Sequence, residues 1–422
     1  MSNALKGLLW LIIAVAVLAG GYALYTQLRP TGAEPAAPIA GAPAGITDKL
    51  ARGEYLARAA DCVACHTAPG GAPYAGGFAF KLPFGTIYGT NITADKETGI
   101  GNWSDDQFVR AVREGIGPQG NLYPAMPYTS YAKMSTEDMR ALYDYLMNEV
   151  PAQNVTNRDS DITWPLSMRW PLAVWNQLFH DDQPYQADPQ QSAEWNRGAY
   201  LVQGAGHCGS CHTPRGWAMQ EKGLDGKEPV FLSGAELDGW YASNLRGLPP
   251  EEVTALLKTG RSRHAAVAGP MSEVVTHSTQ YLSDGDLNAI AVYLRSLAPD
   301  TAAKPASSAA QADNSGGKAT YAMYCSTCHG NKGEGTDFAI PALAGNATVT
   351  ADNPLTALRV VLEGAHTPIT QQAMAFDMPA YGWALNDRQA ADLMSYLRGS
   401  WGNQAAPVTV QQVQDARQLQ EK

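Results

Sequence analysis

Basic charge is in short supply in this 422-residue chain: 30 lysines and arginines stand against 40 aspartates and glutamates, a formal net charge of -10. No stretch gathers the basic residues into a patch, which excludes nucleic acid as a partner. Charged residues make up only 17% of the chain, so the acidic balance reads as a soluble redox face or as plain solubility. Cysteine is scarce too. All six cysteines fall inside three short motifs, leaving none for a structural disulfide or a fourth zinc ligand. Alternation of apolar and polar residues over any useful length is missing, which argues for helix and loop rather than strand.

What the chain does have is one pentapeptide three times: Cys62-Val63-Ala64-Cys65-His66, Cys208-Gly209-Ser210-Cys211-His212 and Cys325-Ser326-Thr327-Cys328-His329. C-x-x-C-H is the attachment signature of a c-type haem. Two thiols add across the porphyrin vinyl groups, and the histidine that follows is held beneath the iron. C-x-x-C alone also serves zinc ribbons and redox dithiols. Three copies that use up every cysteine favour three covalently bound haems c, with Cys62, Cys65, Cys208, Cys211, Cys325 and Cys328 as the thioether sites.

The length suits about three domains of roughly 100–200 residues each. Each motif sits in a repeat of one plan. A short helix signal precedes it: Arg52-Gly53-Glu54-Tyr55-Leu56, Arg197-Gly198-Ala199-Tyr200-Leu201 and the looser Gly317-Lys318-Ala319-Thr320-Tyr321. A second helix closes each repeat, with N-caps at Ser135, Ser283 and Asn386 and with Asp138, Asp286 or Gln389 three residues on. Apolar residues follow at helical spacing: Met139, Leu142, Tyr143, Leu146; Leu287, Ile290, Ala291, Leu294; Ala390, Leu393, Met394, Leu397. These stripes are core.

The expected order is an anchor or signal segment (1–28), a Pro/Gly/Ala-rich tether (29–46) and three haem domains (47–149, 193–298, 317–400). An aromatic-rich connection (150–192) joins the first two domains, a linker (299–316) joins the last two, and a polar tail (401–422) closes the chain. Gly7–Tyr25 is a run of 19 uncharged residues, between Lys6 and Arg29. At about 1.5 Å per residue it nearly spans the roughly 30 Å hydrocarbon core. Cleavage after Val17-Leu18-Ala19 is the competing reading, but the apolar run continues to Leu28, beyond an ordinary signal core. An uncleaved anchor is expected, with Lys6 inside and everything after Arg29 outside. The aromatics of 150–192 pack on the neighbouring haem domains or form a docking surface for another subunit.

An electron-carrying haem usually fills both axial positions, and a methionine opposite histidine raises the potential. Met126 lies 60 residues after His66, Met271 lies 59 after His212 and Met378 lies 49 after His329, each beside a proline that stiffens its loop. In the second repeat His277 competes with Met271. The other histidines outside the motifs are His180, His207, His264 and His366. They read as solvated or capped, with one or two at a haem propionate.

These strings, with Gly89-Thr90-Asn91-Ile92-Thr93, Thr98-Gly99-Ile100-Gly101-Asn102-Trp103, Leu122-Tyr123-Pro124-Ala125-Met126-Pro127-Tyr128 and Met378-Pro379-Ala380-Tyr381-Gly382-Trp383, carry a resemblance over about residues 47–400. The chain resembles the three-haem cytochrome c subunit of membrane-bound bacterial dehydrogenases, the group that serves alcohol, gluconate, fructose and aldehyde dehydrogenases. The resemblance implies an all-α fold, with three tandem class I cytochrome c domains after the N-terminal helix. It implies axial pairs His66/Met126, His212/Met271 and His329/Met378. It also implies a catalytic partner subunit carrying pyrroloquinoline quinone, flavin or molybdopterin, with a small third subunit as an open addition. Electrons would pass to ubiquinone or another respiratory acceptor, with the chain in a bacterial cytoplasmic membrane and its haem domains in the periplasm. The retained N-terminal helix departs from the many members that carry an ordinary signal peptide. A terminal-oxidase cytochrome subunit and a haem peroxidase are the competing functions. The expectation is an electron carrier without bond chemistry of its own.

Overall fold

A computed structural model describes residues 2–28, 45–298 and 315–420. The expected tether and linker fall outside the described residues but for their last two positions each. The described chain forms two compact bodies. One is Met1–Gln190 with Gln203–His207, and the other is Gln191–Val202 with Cys208–Lys422.

Each repeat is built on a crossing of two helices. In the first, Lys49–Ala59 packs on Thr136–Asn148; in the third, Ser315–Tyr324 packs on Asp387–Gly399. In the second, Ala193–Gln203 meets Asp284–Ser296. One glycine makes each crossing close. A methyl group on Gly53 would lie 2.8 Å from the Ala141 carbonyl carbon, on Gly198 2.5 Å from that of Ala289, and on Gly317 2.8 Å from that of Asp392. In every case the next obstacle is the Cβ of the tyrosine four residues further on, Tyr145, Tyr293 or Tyr396. The backbones touch because these positions carry no side chain. Two of the crossings are also tied by charge: Arg52 Nε donates to Asp138 at 2.6 Å, and Arg197 donates twice to Asp286 at 2.8 and 2.7 Å. The third repeat has Gly316 and Gln389 at these places and no such pair.

The closing helices start at the residues the sequence marks. Ser135, Ser283 and Asn386 accept from the backbone N–H groups of Asp138, Asp286 and Gln389. Every residue of the three apolar stripes is buried except Tyr143, whose hydroxyl reaches the Trp103 carbonyl at 2.7 Å.

The expectation of an all-α fold needs correction. Helix dominates, but short antiparallel pairs also occur: Ala79–Leu82 with Gly85–Tyr88 and Asp161–Ile162, Ile116–Gly117 with Gly120–Asn121, Ala235–Leu237 with Trp240–Ala242, and Ala365–His366 with Asp377–Met378. Strands of two to four residues are too short to leave an alternating pattern. The polar tail also holds structure. Val410–Gln420 is a helix whose Val413 and Ala416 are fully buried against the third repeat's core.

Asn3–Leu28 is one apolar helix, exposed along most of its length. Its last turn is held by Arg110, which donates to the Gln27 carbonyl at 2.7 Å and to that of Thr26, so two otherwise orphaned C-terminal carbonyls find a donor. The connection 150–192 is split in its behaviour. Helix Leu172–Phe179 is pinned to the first repeat: Tyr128 donates to Asn176, Asn176 to the Glu114 carbonyl and His180 to the Arg113 carbonyl, at 2.8, 3.0 and 2.8 Å. Trp164, Trp170 and Leu178 stay exposed.

Candidate functional site

All three pentapeptides fold alike. Each is a single helical turn in which the histidine N–H donates to the carbonyl of the first cysteine, at 3.0 Å for His66 and His212 and 2.9 Å for His329. This turn puts both sulfurs and the imidazole on one side. Burial pushes the Cys62 and Cys208 thiols up to about 12 and Cys325 to about 11. A reactive dithiol requires the opposite, a thiolate favoured near neutral pH. Among the described residues no three His, Cys, Asp or Glu side chains converge as a metal-ion site. In an attached haem these sulfurs are uncharged thioethers, which suits an apolar pocket.

The imidazoles are oriented by the main chain. His66 Nδ1–H donates to the Thr90 carbonyl at 2.6 Å, His212 to that of Ser243 at 2.7 Å and His329 to that of Pro341 at 3.1 Å. Fixing the proton on Nδ1 leaves the Nε2 lone pair for a metal, the usual way a second shell sets a ligand's tautomer. Burial lowers the pKa of all three, so the neutral, ligating form prevails. An iron porphyrin held by two thioethers and one imidazole therefore fits each motif.

The string around Asn91 has a visible purpose. Asn91 is buried, accepts from Thr93 N–H at 2.9 Å and donates to the Gln153 carbonyl at 2.7 Å and to Thr98 Oγ1 at 3.1 Å. It locks the loop that presents the Thr90 carbonyl to His66. Asn244, next to Ser243, makes the same turn by accepting from Arg246 N–H at 2.8 Å.

The three methionines are half-buried, on three different supports. Met126 follows the hairpin Ile116–Asn121, its N–H donating to the Tyr123 carbonyl at 3.3 Å. Met271 opens helix Pro270–His277, after Gly269, whose backbone lies against the Trp240 ring. Met378 is in a strand paired with Ala365–His366. In two repeats a tyrosine ties the methionine loop to the residues just before the first thiol. Tyr131 donates to the Ala60 carbonyl at 2.8 Å and Tyr381 to that of Tyr324 at 3.1 Å. His277 points elsewhere: it is 41% exposed and pairs with Glu273 at 3.2 Å. His264 pairs with Glu252 at 2.8 Å, and His366 pairs with Asp377.

The sequence reading missed Thr90, Ser243 and Pro341, because a carbonyl acceptor has no residue signature. It also missed the two tyrosine ties, for which a tyrosine three or five residues after the methionine was the available signal.

Comparison with known proteins places these features. The family model for cytochrome c matches residues 315–401, and that for subunit III of cbb3-type cytochrome c oxidase matches 48–146. The chain is 47% identical over 392 residues to the gluconate 2-dehydrogenase cytochrome c subunit of Pantoea cypripedii, covering 87% of this chain and 89% of that one. It is 45% identical over 382 residues to the cytochrome c subunit of the quinone alcohol dehydrogenase of Gluconacetobacter polyoxogenes, covering 85% and 81%. It is 35% identical over 431 residues to the fructose dehydrogenase cytochrome subunit of Gluconobacter japonicus, covering 93% and 86%.

Proposed function

The chain belongs to the family of cytochrome c subunits of dehydrogenases, and from that premise we propose how it carries electrons from its catalytic partner. Covalent haem c supplies a reversible one-electron couple. The protein holds it through three thiol pairs, so that three haems stand in tandem domains at 47–149, 193–298 and 317–400. The observation that carries this reading is the threefold recurrence of a motif histidine whose Nδ1–H is spent on a backbone carbonyl. Met126, Met271 and Met378 are the proposed second ligands; with a thioether from each beside the motif histidine, an attached haem would carry electrons rather than bind a substrate.

Electrons enter from a catalytic dehydrogenase subunit of the pyrroloquinoline quinone, flavin or molybdopterin type and leave to ubiquinone or another respiratory acceptor. Asn3–Leu28 has 26 residues, about 39 Å at 1.5 Å per residue, enough to cross a bilayer core of roughly 30 Å. It would hold the chain in a bacterial cytoplasmic membrane with the haem domains in the periplasm. A terminal-oxidase subunit is the second reading, motivated by the match over 48–146. Relatives matched over more than four-fifths of both chains favour the dehydrogenase.

Two measurements test the proposal on protein purified from membranes. The reduced chain in alkaline pyridine should show three haems c, none extracted by acidic acetone. A co-purifying catalytic subunit, given its substrate, should reduce all three. Fewer than three haems breaks the repeat argument, and co-purification with an oxygen-reducing subunit instead supports the oxidase reading.

A further inference from the structure

Four arginines among the described residues are at least nine-tenths buried, and three of them spend their guanidinium on evident acceptors. Arg113 donates to the Met134 carbonyl at 2.8 Å and to Thr136 Oγ1 at 2.7 Å. Arg246 donates to the carbonyls of Phe231 and Ala298, both at 2.8 Å. Arg398 donates to those of Val349, Ala351 and Ala406 at 2.6, 2.8 and 2.7 Å. Arg261 differs from these three. It is 5% exposed, yet two of its nitrogens, Nε and Nη1, have no acceptor among the described residues, whereas in Arg113 this holds for Nε alone and the other nitrogens are bonded. Among the described residues no carboxylate pairs with it, and burial lowers its pKa. A buried cation without a counter-charge is strongly unfavourable, so the position calls for an anion.

Its place says which anion. Arg261 bridges Ala266 at the base of the short hairpin that leads to Met271. The first repeat has the same hairpin at Ile116 and Asn121, after the same helix and glycine, and there the corresponding residue is a buried isoleucine. The charge is therefore not demanded by the hairpin. The guanidinium lies 4.3 Å over the Phe376 ring, two residues before Met378. Around it the second and third repeats touch: Gln371 N–H donates to Gln280 at 2.9 Å, and Ser272 Oγ donates to the His366 carbonyl at 3.4 Å. The orphaned cation thus sits between the two loops that carry the candidate ligands of the second and third haems.

We propose that Arg261 is a positioning residue that binds a propionate carboxylate of the second or the third haem through charge-assisted hydrogen bonds from Nε and Nη1. The inference rests on the reading that haems are attached at Cys208/Cys211 and Cys325/Cys328. The buried positive charge disfavours the ferric iron and holds that haem's potential up. Arg261 distinguishes the second repeat from the first, so it also separates two haems that share one ligand set.

The test uses the full-length holoprotein with its partner. Haem content is measured first: fewer than three haems in the parent defeats the underlying reading, not this inference alone. With three present, Arg261→Gln should lower one of three waves in a spectroelectrochemical titration and leave the others in place. Arg261→Lys should restore most of the loss. Gln280→Ala, which removes a bond across the same boundary without changing charge, should move no wave. Matching the shifted wave with the one displaced in Met271→Leu or in Met378→Leu identifies the second or the third haem as the source. Three unmoved waves in Arg261→Gln overturn the proposal, as does an equal shift in Gln280→Ala, which would assign Arg261 to packing. Should the Gln variant lose haem, Arg261→Lys decides: three haems retained with waves near the parent's support the charge pairing, and haem loss in the Lys variant as well overturns it.

Discussion

Gly198→Ala is the smallest change that tests the helix crossing on which each repeat is built. The new methyl would lie 2.5 Å from the Ala289 carbonyl carbon and 2.9 Å from Tyr293 Cβ. Carbon atoms pack best at about 3.5–4.0 Å, so the helices must part by roughly 1 Å. The obstacle is backbone, which has no rotamer through which to yield. Overpacking of this kind costs about 1–3 kcal/mol, and the upper end applies here. Alanine gains about 1 kcal/mol over glycine in helix propensity, which leaves a net loss of about 2 kcal/mol. Gly285→Ala is the matched control. It lies in the partner helix Asp284–Ser296, and a methyl there meets only Ser283 Oγ at 3.8 Å. It should stabilise by about 0.4–1 kcal/mol. The assay is guanidinium unfolding of the full holoprotein in detergent, followed at the haem absorbance, with midpoints compared because a multidomain chain is not two-state. The two variants should move in opposite directions from the parent. A Gly198→Ala midpoint equal to or above that of Gly285→Ala would refute the close crossing.

Met271→Leu should abolish the sulfur-to-iron absorbance of one haem and lower its potential, since thioether ligation is what raises it; His277→Ala, at an exposed ion-paired side chain, should change neither. The opposite result would make the second haem bis-histidine. Burial depresses His180 to about 4; the Nε2–H given to the Arg113 carbonyl opposes this only in part, and the buried Nδ1 has no partner among the described residues to help hold a second proton. The unfolded chain therefore binds the extra proton first: stability is full above about pH 6.5 and falls as pH drops toward the folded value, by on the order of 3 kcal/mol. Unfolding midpoints at pH 7 and 4.5 check this, and a His180→Gln variant should show a flatter dependence. Protein isolated from membranes should retain Lys6 and Trp10; an N-terminus at Gly20 with release by salt would show that the apolar helix is removed.

Legibility followed the kind of force at work. Side chains that terminate helices announce themselves, so Ser135, Ser283 and Asn386 could be read as caps, and the stripes behind them as core. The methionines could be nominated from position alone. Features held by main chain were invisible: the carbonyl of Thr90 looks like any other carbonyl, and only the Asn91 string beside it hinted that the loop mattered. Helix Val410–Gln420 escaped because its buried face is two residues, Val413 and Ala416, in a glutamine-rich run. Arg261 is not marked in the sequence at all, because burial without a counter-charge has no residue signature. Gly53, Gly198 and Gly317 were noticed as part of a helix signal, but their purpose is a contact with residues about 75–91 positions away, which no local pattern encodes.

The use of carbonyls to steer the motif histidines bears on how a duplicated domain can drift. A carboxylate partner is lost with one codon change, and with it the tautomer of the ligand. A carbonyl survives every substitution at its own residue, as Thr90, Ser243 and Pro341 illustrate by being three different amino acids. Copies of such a domain can therefore diverge freely around the iron, exchanging an isoleucine for an arginine or shortening a loop by ten residues, without putting the metal bond itself at hazard. The orientation of the three imidazoles is inherited with the backbone, and the side chains are left to individualise each repeat.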